Sequence, residues 1–357
     1  MKISIGAYVK DGPWGGGNLF FENLKNYLKQ HDHNVINHLY DEDIDVILLT
    51  DPRKNSESSS FTHEDIMKYK TKVNPNVKVL HRINECDERK NTEGLNKFLY
   101  EANKVSDATV FVSKWIEELF TNQGLNLKNP KVIMSGSNSK IFHSIGKKNW
   151  DGTEQISIVT HHWGGNWNKG FDVYEKLDQL LDDDKFRKLF KFTYIGNVPR
   201  GFTFKNSELI KPLSGEKLAN ELKKNHVYIT GSLNEPSGNH HIEAAMCGLP
   251  ILYINSGALP EYCRDYGVEF NLENLEEKIY ETKLKYYEIV KNLDSYPFIS
   301  DTMCQQYEYL MLSIQSSESQ ENLKNIKRSL LKKVILKIQK IINISFYNLF
   351  RESKLWN

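Results

Sequence analysis

The sequence predicts an α/β protein of two Rossmann-like, doubly wound domains facing each other across a cleft. Three observations carry that prediction. Short apolar runs alternate with amphipathic stretches, which is the signature of strand–helix–strand units in a parallel sheet. The alternation stops near residue 135 and restarts near residue 156, across Ser135-Gly136-Ser137-Asn138-Ser139 and Gly146-Lys147-Lys148-Asn149. A chain of 357 residues also exceeds what one hydrophobic core ordinarily serves.

Taken in order, residues 3–9 read as the first strand, and 19–30 as a helix with apolar residues at helical spacing. Residues 46–50, 77–80, 108–112 and 132–134 read as further strands, with helices over 95–104 and 115–123. In the second half, 156–160, 192–195, 227–230, 250–254 and 267–270 read as strands. Residues 171–181, 218–224 and 242–246 read as the helices between them. Residues 274–313 read as helical, with Tyr286, Tyr287, Tyr296, Tyr307 and Tyr309 packing against the body.

Composition narrows the function classes. The 47 basic and 46 acidic residues leave a net charge of +1, so no global field favours nucleic acid. Cys86, Cys247, Cys263 and Cys304 make no CxxC pair, which argues for a reduced, cytoplasmic chain rather than a zinc ligand set or a disulfide framework. The start, Met1-Lys2-Ile3-Ser4-Ile5, is too short in apolar run for a signal peptide, and no uncharged stretch reaches the length of a spanning helix. The charge is unevenly placed. From Glu321 onward, nine Lys and Arg stand against two Glu, a net of +7, so residues 1–320 carry 1 − 7 = −6. After the polar linker 315–320, Leu323, Ile326, Leu330, Val334, Ile338, Ile341 and Ile342 recur at helical spacing among lysines. Phe346, Tyr347, Phe350 and Trp356 close the chain. A basic amphipathic helix of this kind suits an anionic membrane surface.

Ligands of open α/β sheets bind beyond the carboxyl ends of the strands, so the loops there are the place for chemistry. Gly12-Pro13-Trp14-Gly15-Gly16-Gly17-Asn18 follows the first strand and precedes the first helix. Amides without side chains admit a phosphate closely, and the helix N-terminus adds positive potential. The spacing is neither GxGxxG nor a Walker A motif. The second candidate runs from Asn234 to Pro250 and holds Glu235 and Glu243 across the loop Pro236-Ser237-Gly238-Asn239-His240-His241. A carboxylate accepts from two neighbouring hydroxyls, as on a ribose or a hexose. The third, His81-Arg82-Ile83-Asn84-Glu85-Cys86-Asp87-Glu88-Arg89-Lys90, follows a strand and is dense in polar groups. His161-His162 and His240-His241 are poor metal chelates, being adjacent residues on one element, and no metal is expected. Asp182-Asp183-Asp184 reads as a solvated turn.

The block Glu235-x7-Glu243 followed by Ala244-Ala245-Met246-Cys247-Gly248-Leu249-Pro250 resembles the donor-site signature of retaining GT-B glycosyltransferases, especially family four. Ser256-Gly257-Ala258-Leu259-Pro260-Glu261, Lys169-Gly170, Phe111-Val112-Ser113 with Trp115, and Gly15-Gly16-Gly17 are similar to further motifs of that family. The resemblance covers roughly residues 1–310. It implies a GT-B fold with an acceptor domain over 1–140 and a nucleotide-sugar domain over 141–300. A helix over 301–315 then returns to the first domain, and 316–357 form the linker and basic tail.

The resemblance implies roles as well. Glu243 holds the donor ribose, and Glu235 meets the transferred sugar. Lys169 binds the diphosphate, with Gly16, Gly17, Gly238, Asn239 and His240 around it. His81, Arg82 and Asp87 face the acceptor, and Arg89 is a further candidate for an anionic one; His81 reads equally as a hydrogen-bonded core histidine. Lysine suits that place because negative charge grows on the leaving diphosphate in the transition state. One departure is plain: family members carry an arginine a few residues before the lysine, and residues 160–168 contain none, leaving His161 or His162 to donate.

The expected activity is therefore retaining, metal-independent sugar transfer from a nucleotide sugar to a glycan or glycolipid, at the inner face of the cell membrane. A sugar-nucleotide epimerase, a glycan phosphorylase and a catalytically inactive assembly partner on the same fold are the alternatives.

Overall fold

The computed structural model of the protein describes residues 1–9 and 16–315. The expected basic helix over 316–357 and part of the glycine-rich loop lie outside the described residues. Residues 1–309 form one compact unit, and a separate segment begins at 310, of which 310–315 are described and helical.

The first sheet is built from β1 (Lys2–Ile5), β2 (Asn34–Ile36), β3 (Val46–Leu49), β4 (Lys78–Ile83), β5 (Ala108–Phe111) and β6 (Pro130–Val132). Their order is β2-β1-β3-β4-β5-β6, all parallel. Its helices are α1 (Gly16–Gln30), α2 (His63–Lys72), α3 (Asp87–Lys90), α4 (Leu95–Ala102) and α5 (Lys114–Asn122). The chain reverses its winding between β1 and β3, so the crevice at their carboxyl ends opens beside Thr50 and the loop entering α1.

The second sheet holds β7 (Ile156–His162), β8 (Phe190–Gly196), β9 (Glu208–Ile210), β10 (Val227–Thr230), β11 (Ile251–Ile254) and β12 (Gly267–Phe270). Their order is β12-β11-β10-β7-β8-β9, again all parallel. The switch point falls between β7 and β10. α6 (Phe171–Leu180), α7 (Asp184–Leu189), α8 (Gly215–Leu222), α9 (Asn239–Met246), α10 (Leu259–Cys263), α11 (Leu275–Leu284) and α12 (Tyr286–Leu293) complete this half. The central strands are buried along their whole length, as helices on both faces require. Ile158, Val159, Tyr228, Ile229 and Leu252 anchor the second core, and Ile47, Leu49 and Val79 one of the first.

Several elements depart from the sequence expectation. The first strand ends at Ile5 rather than Val9. The strand expected over 77–80 continues to Ile83, and that expected over 132–134 lies at 130–132. β2, β9, α2, α3 and α7 were not anticipated. β2 and β9 are three-residue edge strands with exposed or half-buried side chains, so they lack the apolar run that marks a buried strand. The 274–313 helix is broken after Leu293 and resumes at Ser300. Its tyrosines divide: Tyr286 and Tyr307 are buried, whereas Tyr287 and Tyr309 are 56% and 76% exposed. The resumed helix packs on α1 through a Phe20–Tyr307 ring contact, and Glu308 accepts from Tyr27 Oη at 3.3 Å and meets His33 Nε2 at 2.8 Å. All four cysteines are free and buried.

Candidate active site

A cleft of about 1280 Å³ lies where the carboxyl ends of the two sheets face each other. Gly16, Gly17, Lys169, Glu235, Gly238, Asn239, His240 and Glu243 all line it, although they come from three separate stretches of chain.

Lys169 ends a single 3-10 turn, Trp167–Lys169, that follows β7. Gly170 has φ +105°, and a Cβ there would fall 2.6 Å from the Gly231 backbone. The left-handed glycine therefore lets the turn rest on the end of β10 and carries Lys169 to the switch point. Its ammonium stands 3.5 Å from Glu235 Oε2. Burial lowers the Lys169 pKa, and Glu235 opposes that shift.

Glu235 is 7% exposed and lies in the loop between β10 and α9. Its backbone is gripped by the loop after β11: Ala258 N donates to Glu235 O at 2.8 Å. Gly257, at φ +63°, has no room for a Cβ, which would meet Glu235 N at 2.4 Å. Glu235 Oε2 accepts from Ser232 Oγ at 3.0 Å and from Arg89 Nη2 at 2.7 Å. Burial alone would raise this carboxyl; Lys169 and Arg89 overturn that and hold it below the usual carboxylate range.

Gly238 caps α9 without a side-chain acceptor, so the first amides of that helix point at the cleft. Gly16 closes the opposite side, since a Cβ there would sit 3.2 Å from Asn239 Cγ. Glu243 lies one turn into α9 and is 3% exposed, its Oε2 2.9 Å from His161 Nε2. His240 Nε2 lies 3.0 Å from Thr230 Oγ1. His162 Nε2 lies 2.6 Å from Tyr174 Oη, which donates to Lys169 O at 2.9 Å. His161 and His162 thus support Glu243 and the Lys169 turn rather than standing in for an arginine. Burial pushes His162 and His240 well below the ordinary histidine pKa and His241 to about 3, so these rings are neutral. Among the described residues, no three His, Cys, Asp or Glu side chains converge as a metal ligand set.

The wall contributed by the first domain differs from expectation. Arg82 lines the cleft, with its guanidinium 4.0 Å over the Phe20 ring. His81 does not line it. It is fully buried at the β4–β5 pairing, its Nδ1 3.1 Å from Asn103 Nδ2, and burial drops its pKa to about 3. Asp87 does not line it either; its carboxylate accepts from the amides of Leu95 and Asn96 at 2.8 and 2.9 Å, at the N-terminus of α4. Both side chains are consumed by local structure and are not free for an acceptor. Arg89 is drawn away to Glu235. The side chains that do face this half are Asp51, Arg53, Asn84, Glu85 and Lys90. Asp182 and Asp183 behave as a solvated turn: Asp183 caps α7 through Lys185 N and Phe186 N, and Asp182 pairs with Lys205.

Sequence reasoning missed Trp163 and Trp167, both partly exposed on the cleft, and Ser232 beneath Glu235. Two tryptophans flanking Gly164-Gly165 in a loop after a strand were the available signal.

Residues 204–286 match the family described as Glycosyl transferases group 1. Among curated proteins, no sequence match is found. Among solved structures, the chain is similar to sucrose-phosphate synthase from Thermosynechococcus elongatus, with TM-score 0.62 and 14% identity over 88% of this chain and 99% of that one. It is similar to Anabaena HepE in complex with UDP-glucose, with TM-score 0.64 and 13% identity over 87% and 99%. It is also similar to α,α-trehalose 6-phosphate synthase from Burkholderia multivorans, with TM-score 0.57 and 8% identity over 85% and 77%. At such identities the likeness is one of fold, two parallel-sheet α/β domains as in GT-B glycosyltransferases.

Proposed function

We propose that the protein is a retaining glycosyltransferase that moves a sugar from a nucleotide sugar to a hydroxyl of a glycan or glycolipid without a metal ion. The observation that carries this reading is the meeting of Lys169, Glu235, Glu243 and the open α9 N-terminus at the switch point of the second sheet, opposite Gly16. The cationic Lys169 and the α9 amides suit a diphosphate. Glu243 suits the ribose hydroxyls, and Glu235, 3.5 Å from Lys169, suits the sugar on the other side of the diphosphate. The bond from the anomeric carbon to the diphosphate oxygen breaks, and the bond to the acceptor oxygen forms on the same face. The acceptor proton passes to the departing diphosphate. Glu235 Oε2 is held by Arg89, Ser232 and Lys169, which fixes the orientation of the carboxylate. Its role is to orient the sugar and offset charge. Retention follows from the family resemblance. The mixed-charge polar wall of Asp51, Arg53, Asn84 and Glu85, with the buried Arg82, suits an acceptor rich in hydroxyls.

The test is a panel of nucleotide sugars, UDP-glucose among them, followed by thermal shift and mass spectrometry in EDTA with wild type and Glu243→Ala. The expected result is one donor that stabilises only the wild type and is slowly hydrolysed. If no nucleotide stabilises the wild type, the transfer reading falls and the non-catalytic partner takes its place.

The anionic membrane surface is proposed as a partner on the net charge of +7 from Glu321 onward. Among the described residues, no helix is long and apolar enough to cross a membrane. Deleting residues 321–357 is expected to abolish sedimentation with anionic vesicles while donor hydrolysis persists. Undiminished sedimentation would refute the proposal.

A further inference from the structure

We infer that Arg89 is a positioning residue of the transfer site: an arginine delivered from the first domain that fixes Glu235 and the Lys169 turn, completing the donor face of the second domain. This rests on the transfer reading above.

The geometry is specific. Arg89 sits in α3, a four-residue helix of the first domain, and is 6% exposed. Its Nη2 donates to Glu235 Oε2 at 2.7 Å and to Ser232 Oγ at 3.2 Å. Its Nη1 donates to Leu233 O at 2.6 Å and to Asn168 O at 3.2 Å. One guanidinium therefore spans the loop that carries Glu235 and the residue next to Lys169. A planar fork makes four such bonds at once, which a lysine ammonium does not. The contact is reciprocated: Asn168 Nδ2 donates to Arg89 O at 2.8 Å, and Asn234 Nδ2 to Glu88 O at 3.1 Å.

Local structure aims the arginine. Asp87 grips the first amides of α4, which folds residues 87–96 back on themselves and turns α3 toward the second domain. The stretch 160–168 contains no arginine, yet a guanidinium reaches the Lys169–Glu235 pair from across the cleft. Because its donors are occupied by protein acceptors, Arg89 acts on the donor through Glu235 and the Lys169 turn. Arg89, Ser232 and Lys169 all meet Oε2, and none of these bonds engages Oε1. Oε1 is the oxygen we assign to the sugar hydroxyls. Sugar orientation thereby depends on the first domain, although every donor-holding side chain but the Gly16–Gly17 loop lies in the second.

The test compares Arg89→Gln, Arg89→Lys, Glu235→Gln and the Arg89→Gln/Glu235→Gln double variant in the full chain. Donor hydrolysis is measured on the donor found in the panel, and UDP affinity by calorimetry. Arg89→Gln is expected to lower turnover by about 100-fold through misplacement of Glu235, with UDP affinity held. Arg89→Lys should restore part of it, and the double variant should be no slower than Glu235→Gln alone. Multiplicative losses in the double variant, or UDP affinity falling in step with turnover, would overturn the inference. A second readout needs no donor. In the ligand-free protein, the double variant should lose less denaturant stability than the sum of the single losses, because each single variant leaves a buried charge under-paired. Additive losses there would overturn the Arg89–Glu235 coupling alone, whereas a wild type inert to every nucleotide sugar would overturn the transfer reading.

Discussion

Lys169 is caught between two influences. Burial disfavours its charge, and Glu235 at 3.5 Å restores part of it. A bound diphosphate would add a second anion beside it, so the lysine gains most when the leaving group is in place. Lys169→Ala is expected to weaken binding of the donor's nucleoside diphosphate by about 10- to 100-fold, the range for losing one charge-assisted hydrogen bond, as read by calorimetry. Undiminished affinity would place the diphosphate elsewhere. At this scale the sequence was most legible where function is local. Glu235 and Glu243 sit eight positions apart on one loop and helix, so their spacing alone put both on one side of the cleft. Arg89 and Glu235 are 146 positions apart, and no spacing rule reaches that far. His81 and Asp87 were misread for the opposite reason. Asp87 meets the start of α4 only 8 and 9 positions on, and His81 lies inside β4, where its buried ring meets Asn103 rather than the cleft.

The elements divide by how much apolar surface they bury. β3, β7 and β10 are buried throughout, and β3 stands out as an unbroken apolar run. β2 and β9 are short edges without that mark. α2 was missed although Thr62 and Asp65 form a capping box, because a T-x-x-D signal is weak without a strong apolar stripe behind it. One helix end depends on the other domain. Glu261, in α10, accepts from Lys114 N at 2.8 Å and Trp115 N at 2.6 Å, at the start of α5. Burial raises the Glu261 pKa, and these two amides oppose the shift. Glu261→Ala should therefore cost about 1–2 kcal/mol of folding stability, measured by denaturant unfolding. An unchanged midpoint would mean that water replaces the carboxylate at that helix end without loss.

At the scale of the whole molecule, the buried histidines tie folding to pH. His81, His162, His240 and His241 are all lowered from 6.5, each with burial as the largest cause. In the unfolded chain they take up protons near pH 6.5, while in the folded protein they stay neutral to much lower pH. Stability from this source is complete above pH 6.5 and is lost as the pH falls toward about 3. Each contributes about 1.4 kcal/mol per pH unit in that window, so the four together approach roughly 5 kcal/mol per unit. The lowered carboxyl of Glu235 adds in the same direction at still lower pH. Denaturant midpoints at pH 7.5, 6.5 and 5.5 should fall steeply over the last step; equal midpoints would mean that the rings are protonated in the folded state.

By itself the sequence determined the alternation of strand and helix, the division into two halves, the loops at the strand ends, and the block from Glu235 to Pro250 that enters α9. These are short-range properties, set by periodicity and by residues that meet within one turn or loop. Tertiary structure alone decided which charges are paired. It sent Arg89 across the cleft, bound His161 to Glu243, and closed Gly16 against Asn239. The physical reason is that a buried charge must find a partner, and which partner is nearest depends on how two separately folded sheets come to face each other.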